Sequence, residues 1–123
     1  MALILLIDDD PFYRSVMRRI LEDQGHQILE SLDGVEGVET YKMHQPALVI
    51  TDMRMPGMDG AEVIRTIRAL NPQARIIAVS GAETFYNVNF VQMAKDVGAN
   101  VILRKLDHTD RVVVEVSRAL EAA

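Results

Sequence analysis

The chain contains no cysteine, which excludes a disulfide framework and a thiolate metal site and leaves nothing to place it in an oxidising compartment. Long apolar runs are also missing. The longest, residues 2–7, is far too short to cross a bilayer and leads straight into aspartates instead of a small-residue cleavage site. No targeting segment is read, no membrane association is expected, and a cytoplasmic location fits. Nor is there a basic stripe. A formal net charge of −5 argues against direct binding of nucleic-acid phosphates as the main activity, so any link to DNA would be indirect. No Ser/Gly/Pro-rich linker or low-complexity block divides the sequence. With 123 residues, 49% of them apolar, there is enough to build one substantial core. A single domain over 1–123, without an output module, is the expectation.

Short apolar runs alternate five times with stretches of helical periodicity. Residues 2–7, 27–31, 47–51, 74–79 and 100–104 read as buried parallel strands, each bounded by turn or capping residues. Asp10 and Pro11 open a first helix as N-cap and first-turn proline, with Phe12, Val16 and Ile20 as its repeating apolar positions and Gly25 as its end. Asp33 and Glu36 resemble a capping box for a second helix that stops before Pro46, weakened by Gly34 and Gly37. A third opens at Asp59 or Gly60 and carries Val63, Ile64, Ile67 and Leu70 as far as Asn71-Pro72. The fourth is expected from near Tyr86 to Val97, closed by Gly98, and the fifth from His108 or Thr109 to the end. The pattern is (βα)5.

Open parallel α/β sheets bind ligands beyond the carboxyl ends of their strands. There stand Asp8-Asp9-Asp10 after the first strand, Asp52 after the third, Ser80 after the fourth and Lys105 just beyond the fifth. Carboxylates crowded at one rim repel, and a hard divalent cation relieves that repulsion. Mg2+ suits a sparse oxygen site because it keeps several waters and takes one or two carboxylates plus phosphate oxygens. No histidine lies near a carboxylate-rich strand end, which disfavours zinc. In such a site Asp52 can act as a nucleophile that forms an aspartyl phosphate. Lys105 and the Ser80 hydroxyl would then face the phosphoryl oxygens.

Leu5-Leu6-Ile7-Asp8-Asp9-Asp10-Pro11, Thr51-Asp52-Met53-Arg54-Met55-Pro56-Gly57-Met58-Asp59-Gly60, Val79-Ser80-Gly81 and Leu103-Arg104-Lys105 together resemble a response-regulator receiver domain of two-component signalling. The resemblance covers essentially the whole chain, and its D-x-x-M-P-x-M-D-G stretch is the specific part. It implies a flavodoxin-like sheet of strand order 2-1-3-4-5 and Asp52 as phosphoacceptor. It also implies Mg2+ held by Asp9, Asp52 and the backbone carbonyl of Arg54, with Asp8 acting mainly through a metal-bound water. Asp10 is left as a helix cap. The implied partners are a sensor histidine kinase or phosphotransfer protein as donor, a small acyl phosphate as an alternative donor, and a downstream protein target. On this reading the chain is a switch and not an enzyme, with only self-catalysed phosphotransfer and autodephosphorylation.

Two readings compete with the switch. A phosphatase or phosphotransferase with an aspartate nucleophile usually needs a second aspartate two residues on, where this chain has Arg54, and a cap domain for which there is no room. A degenerate, unphosphorylated scaffold is opposed by the intact Asp8, Asp9, Asp52 and Lys105. His26, His44 and His108 are read as surface or capping residues, and Met53, Met55 and Met58 as packing. Two departures from the family pattern stand out. Leu106 follows Lys105 where receivers commonly have a proline after a cis peptide, so a trans bond and a rerouted loop are expected. Ile102 stands where many receivers carry a switching aromatic. Signal readout is therefore expected to run from Ser80 through the longer 81–89 segment, with Phe85, Tyr86 and Phe90, towards a face of the fourth helix and fifth strand.

Overall fold

The computed structural model describes residues 1–81, 84–85, 88–105 and 107–121, with backbone only at 84, 85 and 88. Five parallel strands, β1 (Leu3–Ile7), β2 (Gln27–Ser31), β3 (Leu48–Asp52), β4 (Ile76–Ser80) and β7 (Val101–Arg104), form one sheet in the spatial order β2-β1-β3-β4-β7. This is the 2-1-3-4-5 flavodoxin-like order expected from the sequence. Helices α1 (Pro11–Asp23), α2 (Gly34–His44), α3 (Gly60–Leu70), α4 (Phe90–Asp96) and α5 (Thr109–Glu121) make the connections. Two short strands unforeseen in the sequence, β5 (Thr84–Phe85) and β6 (Val88–Asn89), pair antiparallel ahead of α4.

Period-two alternation divides the core between the two faces of the sheet. Leu5, Ile7, Val49, Ile76 and Ala78 pack with α2, α3 and α4 through Val38, Tyr41, Val63, Ile64, Ile67 and Ala94. Ile4, Leu6, Leu48, Ile50, Ile77, Val79 and Leu103 pack with α1 and α5 through Met17, Leu21, Val112, Val116 and Ala119. Both faces of the central strands are therefore covered, which is why they read as continuous apolar runs.

The phase expected for α1 is wrong. Phe12 is 77% exposed and Val16 40%, while Met17 and Leu21 are buried and Tyr13 and Ile20 partly so. The sequence carries two i,i+4 ladders one residue apart, and periodicity alone does not say which meets the sheet. Polar anchors choose: Arg14 donates to Glu30 on β2 at 2.9 Å and to the carbonyl of Asp8 at 2.8 Å, and Arg18 also donates to Glu30. These turn the Tyr13-Met17-Leu21 ladder inward. Leu70, expected to complete the α3 stripe, is half exposed behind buried Val63, Ile64 and Ile67.

Helix α4 starts at Phe90 with Asn89 as its N-cap, later than expected, because β5 and β6 occupy the residues before it. Tyr86 and Leu106 lie outside the described residues, and with them the proposed helix start and the expected trans bond after Lys105. The 81–89 segment of the expected readout route is described only in part. Gly34 and Gly37 also mark close approach: a Cβ at Gly37 would lie 2.5 Å from Cδ1 of Ile7. Only glycine lets α2 settle onto β1 there.

Candidate functional site

Each chemically interesting side chain is delivered to one rim by the end of a strand. The backbone amide of Asp8, directly after β1, donates to the Ser31 carbonyl of β2 at 3.2 Å. Its carboxylate stays buried and accepts the Asp10 amide at 2.8 Å. Asp10 turns the other way and caps α1, accepting the amides of Phe12 at 3.0 Å and Tyr13 at 3.3 Å. Asp9 between them is exposed.

Asp52 closes β3 with only 5% of its surface exposed, and its Oδ1 accepts the Arg54 amide at 3.3 Å. The turn beyond it can return sharply because residue 60 is glycine. A Cβ there would come within 2.6 Å of the Met53 Cα, and the Gly60 amide donates to the Met53 carbonyl at 3.1 Å. This packing gives the Met58-Asp59-Gly60 stretch its physical meaning: Asp59 caps α3 by accepting the Glu62 amide, and Gly60 lets the helix begin against the strand end. Met53 and Met55 are buried in the same turn, as packing residues.

Lys105 follows β7, and its amide donates to the carbonyl of buried Ser80 at 3.1 Å. Its ammonium lies 3.2 Å from Oδ2 of Asp52 and 3.5 Å from Oδ2 of Asp8. Asp8, Asp9 and Asp52 each offer an oxygen within 4.8 Å of the others. Asp9, Asp52, Arg54, Ser80, Gly81, Phe90 and Lys105 line the open cleft above. Every side chain singled out from the sequence as a site residue is therefore at this rim.

Burial pushes the Asp8 carboxyl up to about 6, helped by the charge of Asp52 and opposed by the Asp10 amide and Lys105. Burial raises Asp52 as well, against the pull of Lys105 and the Arg54 amide. Burial lowers Lys105, but the two aspartates outweigh that and hold its ammonium above the ordinary lysine range. Two buried carboxylates and the exposed one of Asp9, open on one side to a cleft, fit a hard divalent cation.

Two aromatics stand near the cleft: Phe90, which belongs to the expected readout route, and Tyr13, which received no role from the sequence. Phe90, at the start of α4, reaches the cleft from one side. Tyr13 of α1 places its ring centroid 4.9 Å from the Lys105 ammonium on the other. The signal for Tyr13 was its place on the inward ladder of α1, which periodicity did not identify. His26 accepts the amide of the distant Ala2 at 3.1 Å, and His108 holds a local turn by accepting the Asp110 amide at 3.2 Å.

The sequence profile of the response regulator receiver domain matches residues 4–117. The chain belongs to that family. It is 35% identical to the chemotaxis protein CheY of Bacillus subtilis over 95% of this chain and 96% of that one. Sporulation initiation phosphotransferase F of the same organism is 26% identical over 78% of this chain and 75% of its own length. Among solved structures, a response regulator receiver domain protein from Clostridium thermocellum superposes with a TM-score of 0.88 at 27% identity, covering 98% of this chain and 94% of the other. The receiver is a phosphorylation-dependent signalling switch and not a classical enzyme. Such domains are generally Mg2+-dependent and work between histidine kinases or phosphotransfer proteins and downstream targets. Among the described residues no helix is long and apolar enough to cross a membrane.

Proposed function

We propose that Asp52 is the phosphoacceptor of this receiver and that Asp8, Asp9, Asp52 and the Arg54 carbonyl hold Mg2+ for the transfer. The observation that carries this is the meeting of three carboxylate oxygens within 4.8 Å beside a single ammonium. When bound, the cation supplies positive charge to phosphoryl oxygens and to the acidic cluster. The rest of the chemistry belongs to the side chains. An oxygen of ionised Asp52 attacks phosphorus as the bond to the donor breaks, and the donor's imidazole nitrogen or acyl oxygen leaves with the electron pair. Lys105 and the Ser80 hydroxyl stabilise the phosphoryl oxygens, as their places around the cleft support.

The donor is a phosphohistidine of a sensor kinase or phosphotransfer protein, in keeping with the two Bacillus relatives, and water later returns Asp52 to the free carboxylate. The switch acts in the cytoplasm, and its phosphorylated form changes affinity for a protein target. Arg54 two residues after the acceptor favours this reading over an aspartate-based phosphatase, which needs an acid–base residue there. Intact mass after incubation with acetyl phosphate tests it. One phosphoryl group should add in the presence of Mg2+, none with chelator, and none in Asp52→Asn. Labelling that survives chelation or the substitution refutes the assignment.

A further inference from the structure

We propose that Tyr13 is a positioning residue for Lys105, its ring face holding the ammonium at the mouth of the acidic cleft while the carboxylates are engaged elsewhere. The inference rests on Lys105 serving the phosphoryl group as described above. The lysine stem runs between two surfaces. On one side lies Gly81, where an added Cβ would sit in ordinary contact with Cδ of Lys105 at 3.6 Å. On the other the Tyr13 ring presents its face to the ammonium, 4.9 Å from centroid to Nζ. Only 23% of the lysine side chain is exposed, so the cation is partly desolvated where it meets the ring.

The two carboxylates alone would be a poor hold. Asp8 and Asp52 pair with Lys105, and they are also the oxygens that a divalent cation or an incoming phosphoryl group claims. A cation competing for Asp8 removes the lysine's salt bridge. It does not compete for the face of an aromatic ring, whose quadrupole attracts the softer, partly dehydrated ammonium. The ring thus keeps Nζ near Asp52 when Asp8 lets go. Tyr13 is fixed for this duty from both ends: its amide is capped by Asp10 at 3.3 Å and its ring packs on the α1–α5 side of the core.

The test compares the full chain with Tyr13→Phe and Tyr13→Leu, each also made in a Lys105→Met background. Phosphorylation rates by acetyl phosphate with Mg2+ are followed by intact mass, and the Lys105 ε-methylene shifts by NMR. Tyr13→Leu should slow phosphorylation by about fivefold, the equivalent of a partly desolvated cation–π contact, and Tyr13→Phe should stay within about twofold because the ring face remains. In the Lys105→Met background Tyr13→Leu should cost nothing further. An equal loss in both backgrounds, or a loss as large in Tyr13→Phe, overturns the proposal, since the residue then acts through packing or its hydroxyl. The ring should also move the ε-methylene protons upfield in the parent and in Tyr13→Phe but not in Tyr13→Leu. That shift does not depend on phosphorylation, so its absence from the parent overturns the contact itself, whereas a normal shift with no phosphoryl uptake counts against the assignment of Asp52.

Discussion

The two ends of the same sheet are built on opposite terms. At the entry end of β4 and β7, Arg68 of α3 donates to the carbonyls of Pro72 at 3.0 Å, Ala74 and Gly98 at 2.6 Å, and to the side chain of Asn100 at 3.1 Å. Asn100 in turn accepts the Ile76 amide at 2.8 Å, and Asn71 donates to the Tyr41 hydroxyl at 3.1 Å. Here one cation meets several neutral acceptors, and α3, β4 and the α4–β7 turn are tied together. At the exit end Lys105 faces two buried acids, and burial raises both Asp8 and Asp52. The contrast teaches where stability resides and where it has been forgone. The entry end is tied together by neutral partners, whereas at the exit end burial raises two acids above their ordinary range.

The largest expected effect breaks the comparison from both sides at once. Arg68→Ala should lower stability by about 2–4 kcal/mol, because several charge-assisted bonds are lost and carbonyls at a strand entry are left to water. Asp52→Asn should raise the melting temperature in the absence of divalent cations, since it removes a charge that burial disfavours. Urea and thermal denaturation of both variants check this. If the two move in the same direction, the division of labour between the ends is wrong.

A smaller effect sharpens the picture within the exit end, where three consecutive aspartates have three different environments. Asp9→Ala should weaken Mg2+ binding by at least about tenfold, the scale on which even outer partners of a metal matter. Asp10→Ala should leave Mg2+ binding nearly unchanged and cost about 1 kcal/mol of stability through the lost cap of α1. Calorimetric Mg2+ titration beside denaturation separates the two, and equal losses of affinity would show that cap and ligand have been misassigned.

The smallest effect concerns Glu30, on the edge strand between the two ends. Burial pushes its carboxyl up, but hydrogen bonds from Arg18 and Arg14 outweigh burial and hold it below its ordinary value of 4.5. A depressed carboxyl stabilises the fold fully above its unfolded value and loses that contribution as pH falls through the folded value. Stability should therefore decline below about pH 4.5, and Glu30→Gln should flatten that limb while costing no more than about 1 kcal/mol at pH 7, since Arg18 is 40% exposed. An unchanged acid limb in Glu30→Gln would assign the decline to other carboxylates.

Much of this molecule follows from local rules. The five strands are legible because central parallel strands are buried on both faces and so carry unbroken apolar runs, as residues 48–50 and 76–79 do. The helix starts are legible because Asp10, Asp33 and Asp59 meet the same need of unpaired amides, and each accepts one or more of them in the structure. The rim of Asp8, Asp9, Asp52, Ser80 and Lys105 was readable because strand ends fix positions whatever the loops do. What sequence did not resolve are matters of phase and distance. Whether Phe12 or Tyr13 of α1 faces inward depends on Arg14 and Arg18 reaching Glu30 on another strand. That Gly37 also seats its helix depends on Ile7 lying beneath it. The later start of α4 depends on a pairing of β5 with β6 that has no strong local signature. Sequence determined which groups reach the rim, because capping and alternation act within a few residues. Tertiary structure alone decided that Lys105 lies between two acids and an aromatic face, because those contacts join residues from separate strands and helices whose spacing is set only by packing.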